Sequence, residues 1–454
     1  MVKHCVAFLC LAVHPLNAAA QEKQTVVLDL KQCEKFALEN NHLVKEAEMN
    51  LQLAQARQSQ ASHAGILPKL ELKNVWGPIS RARELFVNGV LTSPDTTFRV
   101  SNIRYYTEVE LNLVQPIFTF GKLSNLNRAA RHGVQVEKAG LEGKQQEVRL
   151  QVRELYWSLL LAKELLAVIQ DAMTEVDKAD SRIQEKLDEG SEEVSQTDLF
   201  KLQIFDYEIH KRHRKTLDDL ELSQAQLRSM LGLQQDVGIV IAAEYLDPIV
   251  TTIEELSVYM DMAFSNRPEI ARLRSGLNAR RALVNVAKSD YFPQVFLGAQ
   301  VKYNFAKDRF DSNNPFVHNP TNFFRPGFVL GLNFNLNFLQ TRDKVRAEQA
   351  EYNVLARKED LLQAGIKLEV HKAYLDLKRA ETNMRASRKA LKASDNWLRS
   401  ATMTFDIGVG EVKELIDAFK ANGQMQTEYF RNIYKFNLAL ARLSKAVGRD
   451  LYPN

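Results

Sequence analysis

The sequence predicts a mainly α fold with a small β part, assembled from one helix-strand-strand-helix-helix unit used twice. Three observations carry this. Apolar residues recur at alternating spacings of four and three through Val148, Val152, Leu155, Leu159, Ala162, Leu166, Ile169, Met173 and Val176, and the frame continues through Asp180, Ile183 and Leu187; this is a heptad seam, the signature of a coiled coil. Four other stretches alternate apolar and polar residues with the period of a strand. Matching landmarks also stand about 220 residues apart: Asn40 and Asn266, Pro68 and Pro293, Lys122 and Arg342, Tyr156 and Tyr374, Gly190 and Gly408.

Residues 1–20 combine Lys3, an apolar run from Val6 to Val13 and Ala18-Ala19-Ala20 before Gln21, the pattern of a secretory signal peptide. The processed chain is expected to start near Gln21. Cys5 and Cys10 fall in this leader and leave Cys33 alone, so no disulfide can form within one chain. No cysteine follows the small residues to take a lipid anchor, and no run reaches the roughly twenty apolar residues of a spanning helix. The formal charge is +4, with 26% charged residues of both signs, which gives no reason to expect a nucleic-acid partner.

The first unit is read as residues 21–231. A helical segment from Lys31 to Ile66 ends at Leu67-Pro68 and leads into a strand near Leu70–Trp76, whose apolar face Asn74 interrupts. In the next strand, Tyr105–Val114, Tyr105, Thr107, Val109, Leu111 and Leu113 oppose Glu108, Glu110 and Asn112. That strand passes through Gln115-Pro116-Ile117-Phe118-Thr119-Phe120-Gly121 straight into a helix over Lys122–Leu187. At ~1.5 Å per residue the helix spans ~100 Å, suited to a wide gap, with Gly133, Gly140 and Gly143 as its weak points. It ends at Asp188-Glu189-Gly190-Ser191, where glycine supplies a left-handed C-cap, and a shorter helix returns over Val194–Leu231.

Residues 232–252 lose helical periodicity and are expected to form a small packed linker. The second unit, 253–454, repeats the order: a helical segment to Phe292-Pro293, strands Val295–Phe305 and Phe328–Phe338, and a long helix opened by Arg342. Its seam, the first one shifted by 218 residues, runs Ile366, Val370, Ala373, Leu377, Ala380, Met384, Ser387, Leu391, Ser394, Leu398, Ala401 and Phe405; the turn Asp406-Ile407-Gly408-Val409-Gly410 and a return helix over Val412–Val447 follow. Three of the four strands have the length and strict alternation of membrane-barrel strands. Four strands cannot close a barrel and an open edge is not tolerated in hydrocarbon, so a membrane reading requires a barrel shared among subunits. The loops Gly77–Asn102 and Ala306–Pro326, with Phe310, Phe316, Phe323 and Phe324, are expected outside the cell.

This order of elements behind a signal peptide resembles the TolC family of outer-membrane efflux and secretion ducts. The residues that carry the resemblance are Gln115-Pro116-Ile117-Phe118 to Gly121, Leu155-Tyr156-Trp157-Ser158-Leu159-Leu160 echoed by Ala373-Tyr374-Leu375-Asp376-Leu377, and the two glycine turns. The second junction, Leu336-Asn337-Phe338-Leu339-Gln340-Thr341, lacks the proline and glycine of the first, so the same kink is expected there by other means. The resemblance implies a homotrimer whose twelve strands form one outer-membrane barrel set in lipid, and whose long helices form a periplasmic α-barrel. It further implies a passive exit duct of a tripartite efflux or type I secretion system, docked on a periplasmic adaptor (a membrane fusion protein) and an inner-membrane pump.

The resemblance also assigns sites. Glu414 and Asp417, three apart and so on one helical face, match an acidic ring at the periplasmic entrance that would favour cations; a solvated acidic face explains the spacing equally well. The closing contacts of the family's entrance fall here on Phe405, Gly410 and Gln196, none of which supplies the charged or hydroxyl groups, so closure must differ. Gly190, Ser191, Ile407, Gly408 and Val409 match the adaptor-contacting tips, with plain turn geometry as the alternative. Pro116 and Gly121 mark the strand-helix junction. His210-Lys211-Arg212-His213-Arg214-Lys215 fits a solvated helix face better than a metal pair or a polybasic patch, for want of a third ligand. Walker, dinucleotide, Cys-x-x-Cys, His-Glu-x-x-His and nucleophile-elbow motifs are absent, so no enzyme, metal or cofactor is expected. The competing reading, a periplasmic coiled-coil adaptor or scaffold without a pore, accounts for the heptads and leader but not for the strands.

Overall fold

The structure, a computed structural model, describes residues 25–80, 86–87, 90–91, 103–190, 194–234, 236–309, 321–407 and 409–452. The leader, Ser191, Gly408, Phe310 and Phe316 lie outside the described residues. In chain order the elements are β1 Thr25–Leu28, α1 Leu30–Asn40, α2 His42–Ile66, β2 Lys69–Ser80, β3 Phe86–Val87, β4 Val90–Leu91, β5 Ile103–Phe118, α3 Lys122–Asp188, α4 Gln196–Met230 and β6 Gly238–Ile241. The second half supplies α5 Leu256–Asn266, α6 Pro268–Ser289, β7 Gln294–Ala306, β8 Phe323–Asn333, α7 Phe338–Asp406 and α8 Val412–Val447.

Each predicted leading helix is in fact two. Asn41 breaks the first: its side chain accepts from Leu43 N at 2.9 Å and donates to Met230 O at 3.0 Å, capping α2 and tying it to the end of α4. In the second copy Pro268 opens α6, which excludes the helical conformation from the residue before it. Each return helix then ends on a left-handed glycine pressed against the break. A Cβ at Gly232 (φ +68°) would stand 3.0 Å from Asn40, tighter than ordinary contact, and one at Gly448 (φ +71°) only 2.8 Å from Asn266. Thus α4 continues the line of α2 and α8 that of α6, while α3 and α7 run unbroken over 67 and 69 residues. The helix α3 passes Gly133, Gly140 and Gly143 without interruption.

The helices form one layer in the order α2/α4, α3, α6/α8, α7, and the sheet follows the same order, β2-β5-β7-β8, antiparallel throughout. The predicted heptad positions Val148, Val152, Leu159, Val176 and Ile183 of α3, and Ile366, Val370 and Leu377 of α7, are buried. A belt crosses the helical layer on one side at mid-length, made of α1, α5, the residues after Gly448 and a parallel pair of β1 with β6. Its core sets Leu28, Cys33, Ile239, Ile241 and Leu246 against Val152, Tyr156, Trp157 and Leu160. The linker therefore contains a strand, and β1 has no counterpart in the sequence reading because four residues are too few to show a period.

The strands are longer than predicted, except at the end of the fourth. β8 covers Phe323–Asn333, not Phe328–Phe338, because β7 begins at Gln294 opposite Asn333 and offers no ladder partner further on. The alternation of Phe334, Leu336 and Phe338 lies beyond the sheet, and α7 starts at Phe338, ahead of Arg342. Gly77–Ser80 and Phe323–Pro326, expected in loops, belong to strands.

Candidate functional site

The sheet is divided by face. Register places Leu70, Leu72 and Trp76 of β2 on the same side as Val109, Leu111 and Leu113 of β5, Val301 and Tyr303 of β7, and Phe328, Leu330 and Leu332 of β8. Asn74, the polar exception on this face, accepts from Thr107 Oγ1 at 3.3 Å. The other face is polar and internally bonded. Glu108 takes Lys302 Nζ at 2.8 Å and the Tyr106 hydroxyl at 2.6 Å, and Gln300 donates to Glu110 and Asn112 at 2.8 and 2.9 Å. β2 and β8 are open edges.

At the junction the ladder slips between Pro116 and Phe118, since proline brings no N–H. Phe120 (φ +48°) and Gly121 (φ +84°) then reverse the chain, and Gly121 O collects the backbone and side-chain N–H of Asn125 at 2.9 and 2.8 Å. Phe118 meets Phe120 edge-on, and Phe120 stacks on Phe292. Asp290, at the end of α6, joins Lys122 of α3 at 2.9 Å and Lys344 of α7 at 2.7 Å, clamping both repeats at the foot of the sheet. Burial opposes ionisation of Asp290, but the two lysines outweigh it and hold the carboxyl below its usual range. The second junction turns without proline or glycine: Asn335 Oδ1 accepts from Asn337 N at 3.0 Å, a side-chain turn that starts α7.

At the opposite end Val176, Ile183, Val194, Leu202, Phe405, Val412, Leu415 and Ile416 make a tip core. Glu414 and Asp417 stand exposed on the first turns of α8, on the face turned away from Leu415 and Ile416. Gln196 is exposed as the first residue of α4. Phe405 does not stand with them: it is 2% exposed, as its place on the seam predicts, with Lys186 Nζ 5.0 Å from its ring centroid, so it packs behind the entrance surface. Gly190 takes the left-handed conformation at φ +72°. Gly410 N donates to Thr404 O at 2.9 Å where the chain crosses the end of α7, too close for a side chain. Ile407 and Val409 project freely, 73% and 77% exposed. Arg182 of α3 meets Asp406 of α7 at 2.5 Å, tying the hairpins together.

Among the described residues no group of acidic, histidine or cysteine side chains is disposed to hold a metal ion, and no helix is long and apolar enough to cross a membrane. The profile of the family described as "Outer membrane efflux protein" matches residues 35–233 and 259–449, one segment in each repeat. The chain belongs to the outer membrane efflux protein family.

Solved structures of channels agree in fold. The outer-membrane channel OprN superposes with a TM-score of 0.73 at 14% identity, over 93% of this chain and 91% of that one. The Campylobacter jejuni outer membrane channel CmeC gives 0.71 at 15%, over 93% and 86%, and the open state of the Neisseria gonorrhoeae outer membrane channel MtrE gives 0.73 at 15%, over 93% and 89%. No curated protein sequence matches the chain. Two clusters escaped the sequence reading, Asp290 with its lysines and a buried Arg153 discussed below. Each unites residues more than fifty positions apart, and no local spacing announces them.

Proposed function

We propose that the protein is a homotrimeric outer-membrane exit duct, its twelve strands closing one barrel and its helices extending the bore through the periplasm. The observation that carries this is the four-stranded sheet, apolar on one face, polar on the other and open at both edges, running directly into helices ~100 Å long. An apolar face needs lipid, and open edges in lipid need partners; copies of the chain supply them, β8 meeting β2 of the next subunit. The helical layer supports the same arrangement, because both of its margins carry unpartnered apolar side chains: Val354, Leu361, Leu368 and Leu375 on α7, and Phe200, Ile204 and Tyr207 on α4.

In this reading residues 21–231 and 253–454 are the two repeats and 232–252 belongs to the belt. The tips at Gly190 and at Ile407 and Val409 point away from the membrane toward a periplasmic adaptor and an inner-membrane pump, with Ile407 and Val409 as apolar anchors for partner helices. Three copies of Glu414 and Asp417 ring the entrance and favour cations. Single-channel recording of the purified trimer in planar bilayers tests both claims. A cation-preferring pore is expected, with the preference falling several-fold in Glu414→Ala/Asp417→Ala. An unchanged preference keeps the duct and discards the acidic entrance, whereas folded protein that never conducts favours the pore-free scaffold.

A further inference from the structure

The helix α8 changes sign along one face. Glu414, Glu428, Lys435 and Arg442 lie on one heptad stripe and Asp417, Arg431 and Lys445 on the stripe beside it, so a line that is acidic at the tip becomes basic at the level of the belt. This face is turned from the belt, since Phe436, Leu440 and Leu443 on the other side of α8 pack with Tyr259 and Ala263 of α5. On α7, likewise, Tyr374 meets Tyr259 with ring centroids 6.0 Å apart, while Lys372 and Arg379 line the far side. There they border, with Lys435, Arg442 and Lys445, a groove of about 580 Å³ between α3, α7 and α8. A belt inside the bore would plug it; the belt is therefore external and the groove faces the bore.

The groove's carboxylates are largely occupied. Glu369 is held from behind by the buried Arg267 at 2.7 Å, and Asp376 by Arg379 at 3.3 Å. Arg442 meets Glu154 at 3.4 Å and Lys435 reaches Glu428 only at 4.0 Å. Lys372 and Lys445 have no carboxylate partner among the described residues. Fixed cations in a cleft with protein walls concentrate counter-ions, and several of them together reward an anion of high charge.

We infer that each protomer carries on its inner wall, level with the belt, a binding groove for multivalent carboxylate- or phosphate-bearing solutes in transit. The inference rests on the duct reading. Its test is block of single-channel current by inorganic tripolyphosphate, comparing the wild-type trimer with Lys372→Gln/Lys445→Gln and with Lys389→Gln, an exposed α7 lysine outside the groove. Tripolyphosphate should reduce the wild-type and Lys389→Gln currents alike, and the double variant should need about tenfold more of it. An open pore indifferent to tripolyphosphate, or equal block in all three proteins, overturns the groove and leaves the duct standing. A folded trimer that conducts nothing removes the duct reading, and the groove with it.

Discussion

At Arg153 a guanidinium only 6% exposed meets Glu34 at 2.6 Å, Asp450 at 2.6 Å and the Tyr452 ring at 4.0 Å. It fastens α1 and the chain end to α3. Replacing it with methionine keeps the volume but leaves two carboxylates without their partner, and removing one member of a buried pair costs about 3 kcal/mol or more; a thermal or chemical melt of Arg153→Met should show that loss. Burial raises the cost of ionising Asp450, yet the hydrogen bonds from Arg153 prevail and its carboxyl titrates below the ordinary range. Its contribution is complete above about pH 4 and is lost as pH falls through the lower folded value. Wild type should therefore lose more stability than Asp450→Asn on acidification below about pH 4, as read from melting temperatures. The sequence conceals this site, since Arg153 sits beside the seam residue Val152 and reads as a solvated neighbour. Glu414 and Asp417, in contrast, were legible as one exposed face because their relation is local.

The elements show what a repeat signal can convey. Spacing alone paired Asn40 with Asn266 and located the helix ends near Gly232 and Gly448, but it did not reveal that each glycine abuts its own asparagine. That contact needs two chain segments aligned end to end, which no periodicity encodes. Gly448→Ala should be costly, because a Cβ would stand 2.8 Å from Asn266 O at φ +71°; strain of this kind amounts to about 1–3 kcal/mol. Gly133→Ala, inside α3 three turns from its start with nothing within 4 Å of the added carbon, should instead gain about 0.5–1 kcal/mol through helix propensity. Opposite shifts in the unfolding midpoints of the two variants are the expected result. The misplaced fourth strand has a related origin: Phe334, Leu336 and Phe338 alternate as a strand does, and only the length of β7 decides where pairing stops.

For the whole molecule, sequence and fold agree on a duplicated, mainly α architecture with a small sheet, because two simple periods, 3.5 and 2, dominate so much of its length. Assembly is written in the same periods. Leu361 and Leu368 are 73% and 72% exposed, seven residues apart on the free side of α7. In the proposed trimer they would meet the α2/α4 margin of the next subunit. Leu361→Glu/Leu368→Glu should convert the detergent-solubilised trimer to monomers in a light-scattering mass measurement while the helical circular dichroism persists; a trimer unaffected by both changes would place the contact elsewhere. The belt has one more consequence. Cys33 is fully buried in it, and desolvation, with help from Asp29 and Glu34, pushes its thiol up to about 12. In a chain processed near Gln21, as proposed, it would be the only cysteine and so a native clock: an alkylating reagent stays idle while the waist holds, even if the tips dilate, and the rate of labelling counts how often the waist comes apart.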